Sequence, residues 1–120
     1  MKILVVEDDC TNQQVASLFL KKFGYQADIA ENGEVAVEMS ELNQYSLIFM
    51  DCQMPIMDGF TATKKIKNSD HLNSKTPVIA LTANRVKGIE EDCKNCGMDD
   101  ILYKPITLKS MSAIVEKWLT

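Results

Sequence analysis

The stretch Leu47-Ile48-Phe49-Met50-Asp51-Cys52-Gln53-Met54-Pro55-Ile56-Met57-Asp58-Gly59 decides the fold. Its first four residues are apolar, as a strand buried on both faces requires, and the run stops at a carboxylate. A turn-rich segment follows. A carboxylate at the end of a buried strand is held at the carboxyl edge of a sheet, where open α/β folds place their chemistry. The same arrangement occurs near the chain start, where Ile3-Leu4-Val5-Val6 runs into Glu7-Asp8-Asp9. Two strand ends thus offer carboxylates to one crevice, which suggests a cation site.

Outward from this stretch, short apolar runs alternate with helical periodicities. Strands are expected at about 3–7, 26–30, 47–51, 78–82 and 101–104. A first helix opens at Thr11-Asn12-Gln13-Gln14, a capping-box spacing, turns Val15, Leu18, Phe19 and Phe23 inward, and stops at Gly24. A second covers about 33–42 with Val35, Ala36, Met39 and Leu42 as its buried face, and a third about 60–68. The fourth, about 85–96, ends at Gly97, and the last is capped by Thr107 with Leu108, Met111, Ile114, Val115 and Trp118 at helical intervals. Five βα units without a repeat or long linker give one doubly wound α/β domain over 1–120. The flavodoxin-like strand order 2-1-3-4-5 is the favoured topology.

Composition narrows the function classes. With 46% hydrophobic and 25% charged residues in 120, the chain can bury a core without staples. No long apolar run resembles a membrane span or secretory signal, so the chain reads as cytoplasmic. A formal net charge of −4, with no basic block beyond Lys64-Lys65-Ile66-Lys67, argues against nucleic-acid binding. Cys93-Lys94-Asn95-Cys96 has half the spacing of a zinc site, but Cys10 and Cys52 are single and the one histidine is His71. These thiols are expected to pack as small hydrophobes, with Ile89, Cys93 and Cys96 on the inner side of the fourth helix together with Val86.

In the 2-1-3-4-5 order Glu7, Asp8 and Asp51 converge, and Thr82 and Lys104 border them from the ends of the fourth and fifth strands. Unit charges about 4 Å apart repel by roughly 4 kcal/mol at an effective dielectric near 20, so the carboxylates need an offset. A hard dication with oxygen ligands, Mg²⁺ or Mn²⁺, supplies one; proton uptake or a salt bridge to Lys104 supplies another. A carboxylate nucleophile, a dication, an ammonium and a hydroxyl are together the parts that receive a phosphoryl group.

Glu7-Asp8 after Val5-Val6, Met50-Asp51-Cys52-Gln53-Met54-Pro55 with Met57-Asp58-Gly59, Leu81-Thr82-Ala83 and Lys104-Pro105 resemble the receiver domains of two-component response regulators. The likeness covers the whole chain, in order and spacing. It implies that Asp51 is the phosphoacceptor, that Glu7, Asp8, Asp51 and the carbonyl of Gln53 surround Mg²⁺, and that Thr82 and Lys104 are the switch hydroxyl and phosphate-binding lysine. It also implies a cis Lys104-Pro105 peptide. The wording of Met50–Pro55, of Ala80-Leu81-Thr82-Ala83-Asn84 and of Gly97-Met98-Asp99-Asp100 is most similar to receivers of hybrid histidine kinases. Those are phosphorelay intermediates, so the implied partners are a histidine kinase or a histidine phosphotransfer domain; a stand-alone single-domain response regulator is the alternative context. Docking is expected near Thr11, Asn12 and Gln14.

One position departs from the family. Its switch aromatic falls at Ile101 here, and the tyrosine is Tyr103, on the same strand face. Tyr103 either substitutes in part for that aromatic or, as the favoured reading, packs under the last helix. Two other classes stay open: a metal-dependent phosphatase with an aspartyl nucleophile, which normally has an acid where Gln53 stands, and a docking module without phosphate chemistry. A free enzyme is not expected. A flavin-type cofactor is disfavoured, because no glycine-rich phosphate loop follows the first strand.

Overall fold

The computed structural model describes residues 2–54, 56–68, 71–83 and 88–119. Five strands form one parallel sheet: β1 (Lys2–Val6), β2 (Gln26–Ala30), β3 (Leu47–Asp51), β4 (Val78–Thr82) and β5 (Asp100–Tyr103), in the order β2-β1-β3-β4-β5. The helices are α1 (Cys10–Lys22), α2 (Gly33–Leu42), α3 (Gly59–Ile66), α4 (Ile89–Cys96) and α5 (Leu108–Leu119). Strands 1 and 5 begin and end one residue earlier than the sequence suggests.

Alternation along the strands sorts the core into two layers. Leu4, Val6, Ile48, Met50, Val78 and Ala80 meet α2, α3 and α4 through Ala36, Ala62, Ile66, Cys93 and Cys96. Ile3, Val5, Leu47, Phe49, Ile79, Leu81 and Leu102 meet α1 and α5 through Ala16, Leu20, Met111, Ile114 and Val115. Burying each large aliphatic side chain contributes about 1.5–3 kcal/mol, so β3 and β4, buried at every position, anchor the sheet. Because both faces are covered, polar groups can gather only at the strand ends. No helix among the described residues is long and apolar enough to cross a membrane.

Three helices correct the sequence reading. The N-cap of α1 is Asp9, whose carboxylate accepts from the Asn12 N–H at 2.9 Å, so Thr11 lies inside the helix. The cap moves the inward stripe to Ala16 and Leu20, flanked by Phe19 and Phe23, and leaves Leu18 61% exposed. In α2 the last residue, Leu42, is 82% exposed rather than on the buried face. Ser40 takes the inward place, its hydroxyl donating to the Val37 carbonyl. Asp58 caps α3, which starts and stops one to two residues earlier than its pattern suggests. Thr107 caps α5 as expected, accepting from the Ser110 N–H at 3.0 Å, and Gly24 and Gly97 adopt left-handed φ after α1 and α4. The described part of α4 carries Ile89, Cys93 and Cys96 inward; the expected start at Arg85, and Val86, lie outside the described residues.

Candidate functional site

Parallel registers align the strand ends that carry the polar groups. Val6 pairs with Met50, Asp51 with Leu81, and Thr82 with Tyr103, so Glu7, Asp51, Thr82 and Lys104 come to one edge of the sheet. Lys104 extends the ladder, its N–H donating to the Thr82 carbonyl at 2.9 Å, and the Lys104–Pro105 peptide is cis. Asp51 cannot drift from this edge: a Cβ built at Gly59 would overlap the Asp51 carbonyl, and the Gly59 N–H donates to the Cys52 carbonyl at 3.2 Å. Glycine is therefore required where the turn folds back on β3.

The carboxylates of Glu7, Asp8 and Asp51 each place an oxygen within 4.8 Å of the others. Glu7 and Asp51 are buried and Asp8 is exposed. Asp9, grouped with them in sequence, is spent on the α1 cap. Lys104 Nζ lies 2.8 Å from Glu7 Oε2 and donates to Asp51 Oδ2 at 3.1 Å. The contact to Glu7 is an ion pair by distance whose angles fall outside hydrogen-bond geometry, so Oε2 is buried without a hydrogen-bond partner. The Gln53 N–H donates to Asp51 Oδ1 at 3.1 Å.

One ammonium thus serves two buried carboxylates. Burial pushes the Asp51 carboxyl up to about 6, and the Glu7 charge adds to this; the Gln53 N–H and Lys104 act against it. Burial disfavours the charged form of Lys104, but Glu7 and Asp51 outweigh it and raise the Lys104 pKa. Both members of an ion pair cannot be raised by their mutual attraction alone. Burial resolves the conflict: it raises Asp51 against the pull of Lys104, with the Glu7 charge adding to it, while two carboxylates keep Lys104 protonated.

This set suits a hard dication. The donors are all oxygens, one is a buried carboxylate oxygen with no hydrogen-bond partner, and the net charge of the cluster is negative with Lys104 included. The structure brings Glu7, Asp8, Asp51 and Lys104 together, and strand register sets Thr82 at the same sheet edge.

Supports invisible to pattern also appear. Glu7 is held by the Asp9 N–H at 3.3 Å and Asn12 Nδ2 at 3.4 Å, while Gln13 Nε2 donates to the Glu7 carbonyl at 2.7 Å. Their signal was there, a pair of amides in the first turn after an acidic strand end, though it also reads as ordinary capping. Ile56, in the loop after Asp51, has φ +73° and is 77% exposed. A β-branched residue in that region is strained by on the order of 1–3 kcal/mol.

Around the site, the cysteines behave as fillers. Cys52, Cys93 and Cys96 are buried free thiols, with Cys52 and Cys93 sulfurs 3.9 Å apart and burial pushing all three thiols up, while Cys10 is exposed. Tyr103 differs from expectation. It does not lie under α5; together with Ile101 it borders the groove between α4 and β5, and its hydroxyl donates to Glu90 Oε1 at 2.9 Å.

Comparison with known proteins agrees with this geometry. Residues 3–116 match the family described as response regulator receiver domain. Hybrid signal transduction histidine kinase F of Dictyostelium discoideum is 40% identical across 98% of this chain and 11% of its own length. The chain spans 4–14% of the length of eight curated relatives that it matches. Among solved structures, the receiver domain of sensor histidine kinase PA1611 from Pseudomonas aeruginosa, with magnesium in its active-site cleft, is 38% identical with a TM-score of 0.89, covering 98% of this chain and 95% of that one. The receiver domain of Ssk1 from Saccharomyces cerevisiae, in complex with the phosphotransfer protein Ypd1, is 30% identical with a TM-score of 0.91, covering 98% and 88%.

Proposed function

Because this chain belongs to the response regulator receiver family, we propose that it takes a phosphoryl group from a phosphohistidine onto Asp51 and relays or reports it. The observation that carries the reading is the Asp51 carboxylate held at the end of β3, 3.1 Å from Lys104 Nζ and within 4.8 Å of Glu7 and Asp8 oxygens. An Asp51 oxygen attacks phosphorus as the N–P bond of phosphohistidine breaks, and the imidazole leaves with that electron pair. Lys104 is positioned to neutralise charge on the phosphoryl oxygens, and the Thr82 hydroxyl to donate to the product. Glu7, Asp8, Asp51 and the Gln53 carbonyl would hold Mg²⁺ or Mn²⁺. When bound, that ion neutralises the phosphoryl oxygens and offsets the repulsion among the carboxylates.

The partner is a histidine kinase or a histidine phosphotransfer domain, and the parent context is a hybrid kinase phosphorelay. The hybrid kinase relative supports the context, and the Ypd1 complex of the Ssk1 receiver supports a phosphotransfer partner. The chain accepts and loses phosphate without turning over a free substrate; a phosphatase reading lacks the second acid at Gln53. Incubation with a small acyl phosphodonor and Mg²⁺ tests the assignment. A mass gain of one phosphoryl group that requires Mg²⁺ is expected; turnover of an added phosphoester would indicate the phosphatase, and no reaction a docking module.

A further inference from the structure

Tyr103 stands between the phosphoacceptor edge and an outer helix. It pairs with Thr82 in the β4–β5 register, and it is bonded directly to Lys104, whose N–H donates to the Thr82 carbonyl. Its hydroxyl reaches Glu90 Oε1 at 2.9 Å in the first turn of α4. That turn packs inward through Ile89. Its N-cap, Gly88, has φ +101° and provides no side-chain hydrogen bond, and the first turn carries Glu90, Glu91 and Asp92. These charges favour the helix dipole, and of the three Glu90 accepts from the Tyr103 hydroxyl of β5. The link from Glu90 to β5 therefore ties the helix start to the strand that carries Lys104.

We propose that the Tyr103–Glu90 hydrogen bond is a latch that sets the position of α4 according to the state of Asp51, in place of an aromatic at position 101. The proposal rests on the phosphoacceptor reading. An added phosphoryl group draws the Thr82 hydroxyl and the Lys104 ammonium toward Asp51, and the backbone of Tyr103 is held by both residues. A hydrogen bond weakens steeply once it is stretched or bent, so a shift of a fraction of an ångström in β5 decides whether Glu90 is held. Phosphorylation opens the latch and frees the first turn of α4. Tyr103 is a positioning residue: it touches neither phosphate nor ion.

Amide exchange at Asp92, whose N–H donates to the Gly88 carbonyl at 3.0 Å, reads the first turn directly. Exchange is measured with and without acetyl phosphate and Mg²⁺, and phosphoryl uptake is followed by mass in the same samples. In the unaltered chain, exchange at Asp92 should rise several-fold on phosphorylation. Tyr103→Phe keeps the ring and should show the fast rate from the outset, with normal uptake and no further response. Glu90→Gln retains an acceptor oxygen and should keep the response, whereas Glu90→Ala should lose it. Normal uptake with a full response in Tyr103→Phe, or Glu90→Gln behaving as Glu90→Ala, overturns the latch and leaves the phosphoacceptor reading intact. Absence of uptake in the unaltered chain overturns both.

Discussion

Asp51 is ionised at neutral pH against the preference of its surroundings. Its carboxyl is raised from an ordinary 3.8 to about 6, chiefly by burial, so the folded chain binds this proton more tightly than the unfolded chain does. The contribution therefore runs opposite to that of a stabilising carboxylate. Stability from this group is highest below the ordinary value, falls as pH rises through the window from 3.8 to about 6, and is flat above it. At about 1.4 kcal/mol per pKa unit the ionised side chain costs roughly 2–3 kcal/mol at neutral pH. Asp51→Asn, which removes the charge and keeps the shape, should raise the urea midpoint at neutral pH and flatten the pH dependence below 6. Ion binding has the opposite dependence. Mg²⁺ affinity, followed by titration calorimetry, should fall as pH drops through about 6, and Asp8→Asn should weaken it without unfolding the domain.

The main site residues were legible at this scale because each ends a strand that its apolar run identifies. The capping role of Asp9 was not legible for a physical reason: adjacent carboxylates look equivalent in sequence, and only the helix start shows that one is engaged by the Asn12 N–H. The roles of Asn12 and Gln13 around Glu7 depend on the same start, so they could not be separated from capping.

At the scale of elements, strand positions follow from apolar runs because both faces of the sheet are covered. Helix faces were read less well where the stripe is partial, as in α1, where Ala16 and Leu20 rather than Val15 and Leu18 turn inward. The least legible support is Asn73, which is fully buried in the connection between α3 and β4. Its Oδ1 accepts from the Tyr45 N–H at 2.8 Å, and its Nδ2 donates to the Asn43 carbonyl at 2.8 Å. Bonds between a side chain and backbone about thirty residues away leave no periodicity to read. Asn73→Ala should leave these groups unsatisfied just before β3, and a loss of about 2–3 kcal/mol in urea unfolding is expected. Phosphoryl uptake at saturating Mg²⁺ should survive in the folded fraction, since Asn73 lies at the opposite end of β3 from Asp51.

For the molecule as a whole, the sheet order concentrates chemistry at one edge while both faces are spent on packing. Among the described residues no cationic surplus is seen there: Lys104 is shared by Glu7 and Asp51, so a phosphoryl group arriving at Asp51 competes for a lysine already engaged. Lys104→Ala should keep ion binding but uncouple phosphate from the outer helices. The α4 amide response should be lost while phosphoryl uptake persists at a reduced rate.

The central claim is that the acid at the end of β3 accepts phosphate. After exposure to acetyl phosphate and Mg²⁺, borohydride reduction of the modified chain followed by peptide mass mapping locates the acyl phosphate by converting the modified aspartate to homoserine. The account predicts homoserine at position 51 and none in a Mg²⁺-free control. Modification at Asp8, Asp58 or another carboxylate, or undiminished labelling of the Asp51→Asn chain, would contradict it.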